Sequence, residues 1–348
     1  MKILFLPNWT VTHSDTDIPG LQSPDKYIYG KPYWFFKYFP EDTQVDVIDF
    51  QAQSRWHGIE KKIKFYIVQA VLAFNKAQRY DVVISHGAQS GLVYALLSRF
   101  RKKAQRPLHV IIDVGAMNGG RTNRIETTVI RWALKSHPAI IYHSSIQQAY
   151  YETVYKGLIQ QSRFIPFGAN LEEFYPQGLP TAGYVLSFGY GKRDYPTLLS
   201  AWREIDTSAQ LFIMGDTTIE SRGNIVSFPK SPVSVLKQYI AGCLFVVIPL
   251  PVFNYSYGQM SFLQSMAMGK PVIVTRTPSS IDYLQDAQGA FWVNPYDKED
   301  MKSKIEFLLA RKDQLDGLGM QARKYIEDYH FDEQAMAEKI QAFIHTLV

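Results

Sequence analysis

The residues with most chemical content lie in the run 244–275, LFVVIPLPVFNYSYGQMSFLQSMAMGKPVIVT. An apolar β-rich stretch, 244–249, leads into a loop that ends at Tyr257. Gly258 then stands where a helix over 259–268 begins, Gly269 ends that helix, and 271–275 is the next buried strand. A glycine at such a junction leaves the first N–H groups of the helix open at its positive end, an arrangement that binds phosphate or diphosphate. The backbone of Gly258, Gln259 and Met260 would supply the donors. A second loop, Gly189-Tyr190-Gly191, is flexible enough to let backbone approach a diphosphate. It is followed by two cations, Lys192 and Arg193. Asp113, which ends HVIID, and His86, in SHGAQSG, stand at the ends of strands, where open parallel sheets bind ligands. An aspartate there can accept a proton or a hydroxyl hydrogen bond, or it can simply hold a loop. The histidine can line a cleft or serve the structure. Asp15-Thr16-Asp17 is a D-x-D string of the kind that holds a divalent cation, but it sits in a long polar loop. Zinc-ligand spacing, a complete Walker loop and a full G-x-G-x-x-G run are all absent from the sequence. No obligatory metal or other cofactor is expected, because a helix dipole and basic side chains can hold the diphosphate.

The elements that must position these residues follow from periodicity. In the first half, strands are expected at 3–6, 45–48, 82–85, 110–113, 140–143 and 163–166, with helices at 59–77, 89–101, 121–135 and 145–154. In the second half, strands are expected at 184–187, 211–214, 225–227, 244–248, 271–274 and 290–293. Helices are expected there at 195–204, 232–241, 259–268, 297–310, 315–329 and 332–347. β-Branched runs alternating with helices mean parallel sheets covered on both faces. The fold class is thus α/β, with two doubly wound Rossmann-like domains facing a cleft. The expected divisions are 1–170, 171–331 and a terminal helix over 332–348 that returns to the first domain. Pro176, Gly178 and Pro180 mark the linker.

At 348 residues and 46% hydrophobic content the chain can bury two cores. Its single cysteine, Cys243, lies in an apolar run, so a disulfide framework is excluded and a reducing cytoplasmic setting is expected. The opening MKILFLPNW is too short for a signal peptide, and no apolar run reaches transmembrane length. Residues 1–170 carry 21 Lys and Arg against 12 Asp and Glu, a net of +9, and the remainder carries 16 against 20, a net of −4. The basic half suggests an anionic partner. Lys61, Lys62, Lys64 and Lys76, interleaved with Ile63, Phe65, Tyr66, Ile67 and Val71, could form with Arg99, Arg101, Lys102, Lys103 and Arg106 a face for anionic lipid at the inner membrane surface. No nucleic-acid module accompanies this charge. The aromatic run YIYGKPYWFFKYF over 27–39 suits stacking on sugars, a lipid interface or packing of a helix on the sheet.

The run around Gly258 resembles the donor-site segment of family 4 glycosyltransferases of GT-B fold, whose usual form is close to E-G-F-G-x-x-x-x-E-A-M-A-x-G-x-P-V-I. Met266, Ala267, Gly269, Lys270, Pro271, Val272 and Ile273 fit it, while Ser256 and Gln264 stand in place of its two glutamates. FIPFGANLEEF over 164–174, VLSFGYGKRDYPTLLSA over 185–201, LFIMGD over 211–216 and the terminal ARKYIEDYHFDEQAMAEKIQAFI are similar to further family segments in the same order. The resemblance implies a hexosyltransferase-like enzyme that moves a sugar from a nucleotide diphosphate donor, a UDP-sugar by family frequency, to a glycan or lipid-linked acceptor, with retention. It implies a role in making polysaccharide or glycolipid.

It places Arg193 on the leaving diphosphate, where a guanidinium favours departure. Lys192 stands in for the family's first loop arginine, which is Tyr190 here. It also places Gln264 on a ribose hydroxyl, a shorter contact from Ser256 on the sugar, and Asp113 where the family often has a histidine near sugar and acceptor. A D-x-D metal site belongs to GT-A enzymes and does not fit this pattern. Two other classes remain open: a nucleotide-sugar epimerase of the same architecture, and a non-catalytic nucleotide-binding relative.

Overall fold

The structure is a computed structural model and describes residues 1–50, 54–63, 65–117, 124–189, 191–285 and 288–348. The chain divides into two compact units. The first comprises Met1–Pro166, Asn254–Ser256 and Met336–Val348, and the second comprises Phe167–Phe253 and Tyr257–Ala335.

The first unit is built on β1 (Lys2–Pro7), β4 (Gln44–Val47), β5 (Val82–His86), β6 (Leu108–Asp113), β7 (Ala139–Tyr142) and β8 (Ser162–Phe164). They form a parallel sheet in the order β4-β1-β5-β6-β7-β8. A small parallel ribbon, β2 (Thr12–Ser14) with β3 (Lys26–Ile28), leaves the end of β1. β5 is buried along its whole length, as a strand covered on both faces must be. The helices are α1 (His57–Ile63), α2 (Ile67–Lys76), α3 (Ala88–Ser98), α4 (Arg124–Leu134) and α5 (Ile146–Val154). Ala70, Ala73 and Ala77 bring α2 close to Leu4, Leu6 and Val83 because small side chains permit near approach.

Two expectations change here. The aromatic run over 27–39 is not one helix: it holds β3 and a short 3-10 turn, Trp34–Tyr38. Phe35 and Phe36 meet the Phe5 ring edge-on, so these rings are core, whereas Tyr29 is exposed. The helix expected over 59–77 is two helices. Phe65 packs into the core under α3 and α4, and Tyr66 lies against Phe50. Those two inward contacts interrupt the helical path between α1 and α2.

The second unit repeats the plan with β9 (Tyr184–Phe188), β10 (Gln210–Met214), β11 (Ile225–Phe228), β12 (Val246–Ile248), β13 (Val272–Thr275) and β14 (Ala290–Val293). The parallel order is β11-β10-β9-β12-β13-β14. Its helices are α6 (Tyr195–Trp202), α7 (Val233–Gly242), α8 (Gln259–Ala267), α9 (Pro278–Leu284), α10 (Lys298–Leu309), α11 (Leu315–Asp328) and α12 (Glu333–His345), whose later turns group with the first unit. Residues of α7, α8, α9 and α11 share one core, and residues of α6 and α10 share the other. Cys243 is free and buried, and burial pushes its thiol up to about 12, so it behaves as a small apolar side chain.

Candidate active site

In the second sheet the strand order reverses between β9 and β12, which are neighbours. From β9 the chain builds outward through β10 and β11, then returns to β12 on the other side. The crevice at the carboxyl ends of two such strands is the binding position of doubly wound sheets. The two glycine-bearing loops of the sequence leave β9 and β12 at this point. They are tied by Asp194 N–H donating to Pro249 O at 3.0 Å, and Asp194 also caps α6 by accepting from Thr197 N–H at 3.3 Å.

Gly258 adopts a left-handed conformation, φ +82°, directly before α8. A Cβ there would lie 2.5 Å from Leu250 Cδ2, so the position admits only glycine without movement. Among the described residues no side chain caps the start of α8, which leaves backbone N–H groups of its first turn for a ligand. Arg193 reaches the same turn from the other loop. Its Nη2 donates to Ser261 Oγ at 2.9 Å, and its Nε and Nη1 donate to Phe188 O and Lys192 O at 3.3 Å each. The guanidinium lies 5.3 Å from the Tyr257 ring centre and packs over Gly189, where a Cβ would meet Arg193 Nη2 at 2.0 Å. Burial lowers its pKa, with Tyr257 and Tyr195 acting in the opposite direction. Among the described residues no carboxylate pairs with Arg193. A part-buried cation without an anion is held at a cost that an anionic ligand would offset.

The remaining second-unit candidates take distinct places. Lys192 is exposed, 5.0 Å from the Phe253 ring centre. Gly191 has φ +113°, and a Cβ there would stand 3.2 Å from Tyr257 Oη. Tyr190 lies outside the described residues. Gln259 is buried and donates from Nε2 to Ser279 Oγ, so its backbone is what it offers a ligand. Met260 is exposed, and Gln264, on the same helix, is nearly buried. Ser256 is half-buried and groups with the first unit. Sequence reasoning passes over Ser261, which holds Arg193, and α9, whose Ser279 also accepts from Tyr257 N–H at 3.3 Å. The sequence does carry a signal for α9: Thr277-Pro278-Ser279-Ser280 forms a reciprocal cap with proline in the first turn.

In the first unit Asp113 ends β6 with no exposed surface. It accepts from Gly115 N–H at 3.0 Å, Met117 N–H at 3.3 Å, Tyr151 Oη at 2.7 Å and Gln147 Nε2 at 3.4 Å. Burial pushes its carboxyl pKa up, opposed chiefly by the Tyr151 hydroxyl. In this geometry Asp113 positions the turn 113–117. His86 ends β5 among the rings of Phe5, Trp9 and Trp34, 4.9 Å from Trp9. Burial, with His143 nearby, lowers its pKa to about 3, so it is neutral at physiological pH. Asp17 of the D-x-D string is exposed and paired with Lys26 at 2.8 Å. A cavity of about 470 Å³ lies near Asp81, Gln105 and Arg106, at the amino ends of β5 and β6 and away from these residues.

Residues 180–311 match the family described as glycosyl transferases group 1. The chain carries a group 1 glycosyltransferase domain. That domain contains Gly189, Lys192, Arg193, Ser256, Gly258 and Gln264. Solved structures extend the likeness over the whole length. Sucrose-phosphate synthase from Thermosynechococcus elongatus is 17% identical with a TM-score of 0.70, over 100% of this chain and 99% of the other. HepE from Anabaena in complex with UDP is 13% identical with a TM-score of 0.68, over 99% and 100%. α,α-Trehalose 6-phosphate synthase from Burkholderia multivorans is 10% identical with a TM-score of 0.66, over 99% and 98%. At such identities the likeness shows the fold, GT-B. No curated protein sequence matches.

Proposed function

We propose that this glycosyltransferase moves a sugar from a UDP-sugar to a glycan or lipid-linked acceptor, with retention of anomeric configuration. The observation that carries the reading is a cation with which no carboxylate among the described residues pairs. Arg193 stands on the first turn of α8, beside N–H groups that no described side chain caps, and at the switch point of the second sheet. A nucleotide diphosphate completes that arrangement. As the bond between sugar and diphosphate breaks, its electron pair passes to the diphosphate, and Arg193 with the α8 N-terminus stabilises that charge. Gln264 replaces a glutamate and offers a ribose hydroxyl a neutral partner, while Ser256 makes the shorter contact to the sugar. HepE has been solved with UDP and with UDP-glucose, which supports the choice of nucleotide. The net +9 of residues 1–170 supports an acceptor presented at an anionic membrane surface. No metal is required in this scheme, and turnover is expected to survive EDTA. Complete loss restored by Mn²⁺ would return Asp15 and Asp17 to consideration.

The deciding experiment is calorimetric titration of UDP and GDP into the wild type and Gly258→Val. The wild type is expected to bind UDP and the variant to lose it, since valine strains the turn and collides with Leu250. Binding of neither nucleotide by the wild type, or equal binding by Gly258→Val, removes the donor site from this place. An epimerase would convert donor without acceptor, and a binding-only relative would hold nucleotide and turn over nothing.

A further inference from the structure

Helix α1 is turned inside out. Its one carboxylate, Glu60, is 1% exposed and accepts from Val68 N–H at 2.7 Å, which caps the start of α2. Its apolar residues face the other way. Trp56, Ile59 and Ile63 are 50%, 52% and 44% exposed at helical spacing, and Ile67 and Val71 continue the stripe from α2 at 42% and 39%. A helix packed on a globular core normally presents the opposite pattern. The inversion is held in place: Glu60 reaches α2, while Phe65 and Tyr66 are drawn inward between the helices. Exposed cations flank the stripe. Arg55 lies 5.6 Å from the Trp56 ring centre, and Lys62 is on the open side of α1. Residues 61 and 64 are also lysines, although their side chains lie outside those described. Over 55–71 Glu60 is the only acidic residue, and it is buried.

We infer that α1 and the outer edge of α2 form a surface that docks on an anionic lipid bilayer. Exposed isoleucines and a tryptophan enter the headgroup boundary, and Arg55 and Lys62 meet the lipid phosphates. A second copy of the chain suits this face less well, because a two-fold contact would set its cations against themselves. The surface deepens the reading of a membrane-presented acceptor and rests on it for its purpose, but its test uses neither donor nor turnover.

The test is co-sedimentation with phosphatidylcholine vesicles, plain or with about one third phosphatidylglycerol. Wild type is expected to partition at least about tenfold more onto the anionic vesicles, and ~0.5 M salt to weaken this. Ile59→Ser with Ile63→Ser is expected to lose about tenfold in partitioning. Both positions are exposed, so its melting temperature should match wild type, and UDP titration on the same variant reads the donor site separately. Lys62→Glu, which alters no packing, should weaken anionic binding alone. Wild-type partitioning by the Ile59/Ile63 variant overturns the proposal, as does equal binding to both vesicle types. A vesicle-free dimer that the same variant abolishes would assign the face to a second copy and overturn it too.

Discussion

Asp113 and Arg193 are both charged side chains withdrawn from water at the carboxyl ends of parallel strands, one in each unit, and they are satisfied in opposite ways. Asp113 takes hydrogen bonds from two backbone N–H groups, a tyrosine and a glutamine. Arg193 finds a serine and two carbonyls, and among the described residues no opposite charge. The hydrogen bonds of the first are made within its own unit. The second is the one that, in the function proposed above, a ligand completes. Burial by itself therefore does not mark a functional charge; the state of its partners does.

The sharpest way to break this comparison is to remove each charge. Asp113→Ala leaves at least three buried donors without an acceptor and should cost on the order of 3–5 kcal/mol in urea unfolding. A loss under about 1 kcal/mol would mean the turn 113–117 does not depend on it. Arg193→Ala should do the reverse: stability within about 1 kcal/mol of wild type, but ~2–4 kcal/mol less transition-state stabilisation in steady-state turnover. Turnover within threefold of wild type would sink the assignment.

Acidity separates the units in a different manner. Burial lowers His86 and His109 to about 3 and His143 to about 4, and all three lie in the first unit. Below the ordinary histidine value near ~6.5 the unfolded chain takes up protons that the folded unit refuses. Their stabilising contribution is present above that pH and falls away as pH drops toward 4, by about 1.4 kcal/mol per pH unit for each histidine. Urea midpoints at about pH 7.5 and 5 should show the loss, with His109→Gln flattening the slope; a midpoint unchanged across that range contradicts it. The smallest effect belongs to Gln264→Ala, which should weaken UDP binding by ~0.5–1.5 kcal/mol, one neutral hydrogen bond. Calorimetry giving no change would leave Gln264 as a polar residue of α8 without a ligand.

Residue order alone makes much of this molecule legible. Both sheets follow from runs such as Val82–His86, buried on two faces, because a strand covered by helices on both sides has no polar positions to blur the pattern. The start of α8 at Gly258 is legible because a left-handed residue before a helix restricts the amino acid to nearly one choice. Local chemistry also marks Asp194 and Thr277 as caps, each one residue ahead of the helix it starts. The tertiary structure decided what depends on partners far along the chain. The break between α1 and α2 has no glycine or proline to announce it and arises from Phe65 and Tyr66 finding inward contacts. Asp113 gains its meaning from Tyr151, 38 residues away, and Arg193 from Ser261, 68 residues away. Residue type and spacing determine which backbone conformations a segment can adopt, and only packing determines which charge is left waiting for a partner.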